Sequence, residues 1–152
     1  MSLKPGISSF VGCFLAFSFL LSHSASATDQ SERGMLSVKV KGLRSSNGTV
    51  RVSLYNSEES YSNHLKPFKA AVLAITDQQC EWQLQDLEPG DYAIKLFHDV
   101  NGNAELDSSV FGVPKEPYGF SNNARGRFGP PSYEAVKFKV GTATAVQEIL
   151  AE

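Results

Sequence analysis

Apolar and polar residues alternate with period two along most of this chain, the signature of half-buried β-strands. Leu36, Val38 and Val40 oppose Ser37, Lys39 and Lys41, and Val50, Val52 and Leu54 oppose Arg51 and Ser53. Asn47-Gly48 between these two runs predicts a hairpin, because both residues tolerate positive φ. A polar excursion over 56–67 carries a short helical turn at Ser57-Glu58-Glu59. Residues 69–75 return as a strand, and 80–85 are expected to pair with it through Thr76 to Gln79. Leu87-Glu88-Pro89-Gly90 reads as a tight turn, proline fixing φ and glycine supplying a positive one. Tyr92, Ile94 and Leu96 then face one way, Ala93, Lys95 and Phe97 the other, and His98 extends the first set. Beyond a long connection, Val136, Phe138 and Val140 oppose Lys137 and Lys139, and 142–150 supplies a last edge strand.

Six or seven strands with one greasy face each, and almost no helix, predict an all-β domain. Two antiparallel sheets packed face to face satisfy that pattern, since each buries one side and exposes the other. The expectation is a single antiparallel β-sandwich of about seven strands with one long loop; a closed barrel is the alternative. The run Leu87-Glu88-Pro89-Gly90-Asp91-Tyr92-Ala93-Ile94 resembles the corresponding element of transthyretin-like modules, within the broader transthyretin- or immunoglobulin-like class.

The first residues have the pattern of an export signal. Lys4 gives a positive n-region, Ile7 to Leu21 is apolar, and Ser24-Ala25-Ser26-Ala27 puts small residues where cleavage after Ala27 needs them. The apolar run is shorter than the ~20 residues of a spanning helix, so no stable membrane span is expected in the mature chain. Phe10-Val11-Gly12-Cys13 only faintly imitates a lipoprotein box. The domain plan is therefore signal peptide over 1–27, a polar disordered leader over 28–34 and the sandwich over 35–152, with a periplasmic or secreted destination. A formal charge of −2 supplies no electrostatic footprint for nucleic acid or an anionic membrane. Cys13 leaves with the signal, so Cys80 cannot form an intramolecular disulfide. Its alternation with Trp82 and Leu84 places the thiol on an apolar strand face, as a structural cysteine.

Candidate chemistry concentrates in the connection from His98 to Pro131. Asp99, Asn101, Asn103, Glu105 and Asp107 occur at every second position, a spacing that lets a tight loop turn oxygens inward toward a hard cation such as Ca²⁺. Asp99, Asn101 and Asn103 match the first three ligands of an EF-hand loop, and Glu105 would give a backbone carbonyl. Ala104 then stands in place of the turn glycine and Val110 in place of the bidentate acid, so Asp107 or Glu116 would have to compensate. The metal-free alternative is a reverse turn in which Asx side chains bond their own backbone. No Cys or His lies at ligand spacing from His98 or His64.

Arg125 and Arg127 flank Gly126 and could present two guanidiniums to an anion, or could fasten the acidic run. Tyr118, Asn122 and Asn123 complete a candidate ligand-binding set beside them. Tyr118, Phe120, Phe128 and Tyr133 would serve as a stacking platform or cover the end of the sandwich.

Phe97-His98-Asp99-x-Asn101-Gly102-Asn103-x-x-Leu106-Asp107, then Tyr118-Gly119-Phe120-Ser121-Asn122-Asn123 and Gly126-x-Phe128-Gly129-Pro130-Pro131, resemble the exported bacterial family called domain of unknown function 2141. The likeness spans 35–141 and implies an exported β-sandwich, with no catalytic residues to carry over. The leading expectation is a non-enzymatic exported module whose loop end, ordered by calcium or not, binds a small molecule, a glycan or an envelope protein. The rivals are a small hydrolase using His98 as base with Asp99 or Asp107 orienting it, and a purely structural envelope component. Against the hydrolase, His98 and Asp99 are adjacent on a strand and point to opposite faces.

Overall fold

The computed structural model describes residues 33–152. The expected signal peptide over 1–27 and nearly all of the expected polar leader lie outside the described residues. The leader expected over 28–34 does not reach Gly34, which opens the first strand opposite Leu87, while Arg33 donates to the Asp86 carbonyl.

Among the described residues eight strands form two sheets. β1 (Gly34–Lys41) lies between β4 (Cys80–Leu87) and β8 (Ala145–Leu150). The larger sheet runs β3 (Lys69–Ala74), β2 (Thr49–Tyr55), β5 (Gly90–Asp99), β6 (Tyr118–Phe120), with β7 (Phe138–Val140) pairing the start of β5. Inward positions line up across the β2–β5 ladder: Val50 opposite His98, Val52 opposite Leu96, Leu54 opposite Ile94. Leu36, Val38 and Val40 of the small sheet meet that set in one buried core with Leu84, Tyr92 and Ile149. The result is the expected sandwich. Cys80 packs half-buried against this core, and burial pushes its thiol up to about 11.

Strand faces follow the alternation; strand neighbours differ from it in three places. The Asn47-Gly48 turn does not close a hairpin, because β1 and β2 belong to different sheets. Gly48 is still required there: its φ is +75°, and a Cβ would overlap the Asp99 carbonyl. The segment 76–79 likewise crosses between sheets, leaving one bridge, Thr76 with Gln79, where a paired hairpin was expected. The last strand runs parallel to β1, so the sandwich is not wholly antiparallel.

The long connection is also more structured than its composition implies. β6, a 3₁₀ turn at Ser121–Asn123 and helix α2 (Tyr133–Val136) interrupt it. With α1 (Glu58–Ser62), capped by the Ser57 side chain, they cover part of the outer face of the larger sheet. Tyr55, Tyr61, Ala93, Phe120, Tyr133 and Val136 make a second small core there.

Ser121 joins the two short strands to β5. β6 pairs with Lys95 to Phe97 and β7 with Gly90 to Tyr92, which leaves the Ile94 N–H between them. That N–H donates to the buried Ser121 hydroxyl at 2.9 Å, and the hydroxyl donates to the Val136 carbonyl at 2.6 Å. Ser121→Ala leaves a buried donor and a buried acceptor without partners, an expected loss of about 1–3 kcal/mol. Urea unfolding measures it, and a midpoint matching wild type would refute this role.

Candidate functional site

The loop after β5 is rooted in one buried carboxylate. Asp99, the last residue of β5, is fully buried and points to the outer face. Its Oδ2 accepts from Arg51 Nε at 2.7 Å and from the Ala104 N–H at 3.0 Å, and its Oδ1 accepts from the Gly102 N–H at 2.8 Å. Ala104 takes φ +71°, so the backbone adopts the left-handed turn even without glycine. Two Asx turns follow. Asn101 Oδ1 accepts from the Asn103 N–H, and Asn103 Oδ1 accepts from the Glu105 N–H at 2.8 Å. The two carboxamide N–H₂ groups both donate to Asp107, at 2.7 and 3.1 Å. Glu116, buried at the far end of the loop, accepts from the N–H groups of Val100 and Asp107.

This donor set does not fit a calcium ion. Asp99 already carries a guanidinium, Asn101 and Asn103 present N–H rather than oxygen to Asp107, and Glu105 is exposed. Among the described residues no three His, Cys, Asp or Glu side chains come together as metal ligands. The arrangement is the Asx-turn alternative, closed by an arginine.

The fastening arginine is Arg51, from β2, not Arg125 or Arg127. Arg125 instead pairs with Glu152 at 2.7 Å, and Arg127 is exposed without an ion pair among the described residues. Asn122 and Asn123 are not free for a ligand either. The Asn122 amide donates to the carbonyls of Ala135 and Lys137, and Asn123 bonds the backbone of Glu148 and Leu150 in β8. Both have positive φ, which asparagine tolerates better than most residues. The hydrolase arrangement is not formed. His98 is fully buried in the core, and a carbonyl, that of Asn47, sits 2.6 Å from Nε2, so this nitrogen is the donor. Asp99 lies on the opposite face of the strand with Arg51.

Tyr118 lines two cavities. On the outer face of the larger sheet, Arg51, Phe97 and Tyr118 form one cross-strand row, and Ser53, Lys95 and Phe120 the next. A cavity of about 250 Å³ sits on these rows, closed by His64, Leu106 and Pro130. A second, of about 630 Å³, shares Leu106, Tyr118, Phe120 and Pro130 and continues to Phe111, Val113, Arg127 and Phe128. Phe111 and Phe128, at the wall of the larger cavity, are 89% and 98% exposed. Lys95 Nζ lies 4.0 Å from the Tyr61 ring centroid and 5.2 Å from that of Tyr55, and donates to the Tyr61 carbonyl at 2.7 Å. Burial holds its ammonium below the usual lysine range, and burial pushes the Tyr61 hydroxyl up to about 12. Alternation placed Lys95 on the outward face; nothing in the sequence signalled the aromatic box around it.

The Asp99 pair makes acid stability legible. The Arg51 hydrogen bond, opposed by burial and helped by the Ala104 and Gly102 N–H groups, holds the Asp99 carboxyl below its ordinary 3.8. A depressed carboxyl stabilises the fold above its unfolded value and loses that contribution as pH falls through the folded one. Arg51→Met should therefore lower the melting temperature by roughly 10 °C at neutral pH. Since the variant no longer has that contribution to lose, its deficit should shrink as pH falls from about 6 to 2, measured by urea midpoints. A deficit that stays constant across that range would show that Arg51 does not hold the carboxylate. In a parallel melt, millimolar Ca²⁺ and EDTA should give the same wild-type curve; a calcium-dependent rise of several degrees would restore the metal-ligand reading.

No curated protein matched. Two solved chains match at low similarity. One is a backbone pilin of Streptococcus pyogenes with a modular three-domain structure, at 13% identity and TM-score 0.30, covering 76% of this chain and 28% of that one. The other is a mutant of a pilus-presented adhesin, at 14% identity and TM-score 0.26, covering 78% of this chain and 27% of that one. The chain thus spans under a third of the length of either. A family model described as an uncharacterized protein conserved in bacteria matches residues 38–148, both sheets and the whole loop region included, and the chain belongs to that family, domain of unknown function 2141.

Proposed function

We propose that the protein is an exported, non-enzymatic binding module that takes a small ligand in the cleft on the outer face of its larger sheet. The cleft itself carries this reading. Two adjoining cavities share an aromatic and apolar wall, and polar groups converge on one of them, the usual make-up of a small-molecule site. A purely structural loop accounts for Asp99, Asn101, Asn103 and Asp107, but it gives no reason for Phe111 and Phe128 to stand in solvent around a hollow. The rigid base supports the reading too, because Asp99 and Glu116 lock both ends of the loop that carries Leu106. Export rests on the signal-like residues 1–27. Among the described residues no helix is long and apolar enough to cross a membrane.

N-phenyl-1-naphthylamine, a neutral dye that brightens in apolar surroundings, tests the cleft directly. Wild type should bind it saturably at one site. Leu106 is 37% exposed and lines both cavities, so Leu106→Asp should keep the fold. That change should weaken dye binding at least about tenfold by putting a charge against the apolar wall. Dye binding that ignores Leu106→Asp, or none in wild type, would reject the cleft as the site.

A further inference from the structure

The charges lining the cleft are of one sign. Arg51 and Lys95 line the smaller cavity with His64, and Arg127 lines the larger. Among the described residues no aspartate or glutamate lines either cavity, on a chain whose formal charge is −2. The three cations differ in what already holds them. Arg51 is matched by Asp99, so its charge is compensated. Lys95 has no carboxylate partner among the described residues; its contacts are one carbonyl and two ring faces. An ammonium has three N–H donors, and the Tyr61 carbonyl takes one of them. The remaining donors sit half-buried beside the smaller cavity, where a charge-assisted bond is stronger than in open water. Arg127 stands exposed at the wall of the larger cavity, beside Phe128.

Resting on the cleft reading above, we infer that the ligand is an amphiphile carrying one carboxylate. The head group bonds Lys95 in the smaller cavity, and the apolar body lies along Leu106, Tyr118, Phe120 and Pro130 toward Phe111 and Phe128. The two cavities share that wall, so head and body are read by different parts of one surface. Aromatic faces beside a cation suit this chemistry. They hold Lys95 without neutralising it, since a ring attracts the ammonium but supplies no formal charge. A cationic ligand would meet Lys95 as a like charge. A neutral one would leave the ammonium without an anion in its half-buried box.

Calorimetry with decanoate, below its micelle threshold, and with decan-1-ol separates the head from the body. Wild type should bind decanoate saturably and the alcohol about tenfold more weakly or worse, the difference a charge-assisted bond makes. Lys95→Met keeps the length and the apolar stem beneath the two tyrosines. It should bring decanoate down to the alcohol's affinity while binding of N-phenyl-1-naphthylamine is unchanged, which also shows the cleft intact. Equal binding of acid and alcohol, with both lost in Leu106→Asp, would overturn the carboxylate and leave the cleft standing. Decanoate binding indifferent to Lys95→Met would overturn the assigned head-group site. Failure of acid, alcohol and dye alike would overturn the inference and the cleft together.

Discussion

A carboxylate with no exposed surface at the end of a strand dictates the geometry around it. Asp99 can remain ionised inside the protein only because Arg51, on the neighbouring strand, and two backbone N–H groups surround it. Those two N–H groups belong to the turn that follows, so neutralising the charge and shaping the loop are one event. A buried ion pair is not thereby a large net source of stability, since taking both groups out of water costs about as much as their attraction returns. Its effect is specificity: other placements of the loop would leave a charge unmatched. Leu106, and with it one wall of the cleft, inherits its position from this pair.

What alternation reveals is a face, and faces were legible. Leu36, Val38, Val40, Val50, Val52, Leu54, Ile94 and Leu96 are buried as the period-two pattern requires, and His98 continues the inward row. Neighbours are a separate matter. Two consecutive strands with the same alternation can pair side by side or sit across the core from each other, and both arrangements bury the same residues. β1 with β2, and β3 with β4, took the second arrangement. No local feature of Asn47-Gly48 or Thr76–Gln79 distinguishes a hairpin from a crossing between sheets.

The site divides along the same line. The Asx spacing from Asp99 to Asp107 is local, and the turns it predicts are present. The partner of Asp99 lies 48 residues away on another strand, where it reads as an ordinary polar position. Arg125, Arg127, Asn122 and Asn123 were attractive because they crowd together in sequence. Three of them bond β8, the α2 region or the C-terminal segment, so what composition identified there is a structural seam. Tyr118 and the aromatic box around Lys95 needed the register of β5 against β6 before they could be seen as one place.

The parallel pairing of β1 with β8 has a consequence for the order of folding. Leu36 aligns with Ala145 and Lys41 with Leu150, so more than a hundred residues separate the partners in the middle of the smaller sheet. Such a ladder closes a large loop before it gains any bond, which delays it relative to local pairings. Until β8 arrives, β1 has one unsatisfied edge and Ile149 is missing from the core. A chain emerging strand by strand therefore stays incomplete until its last strand is present, and a segment held back by other machinery holds back the whole sandwich.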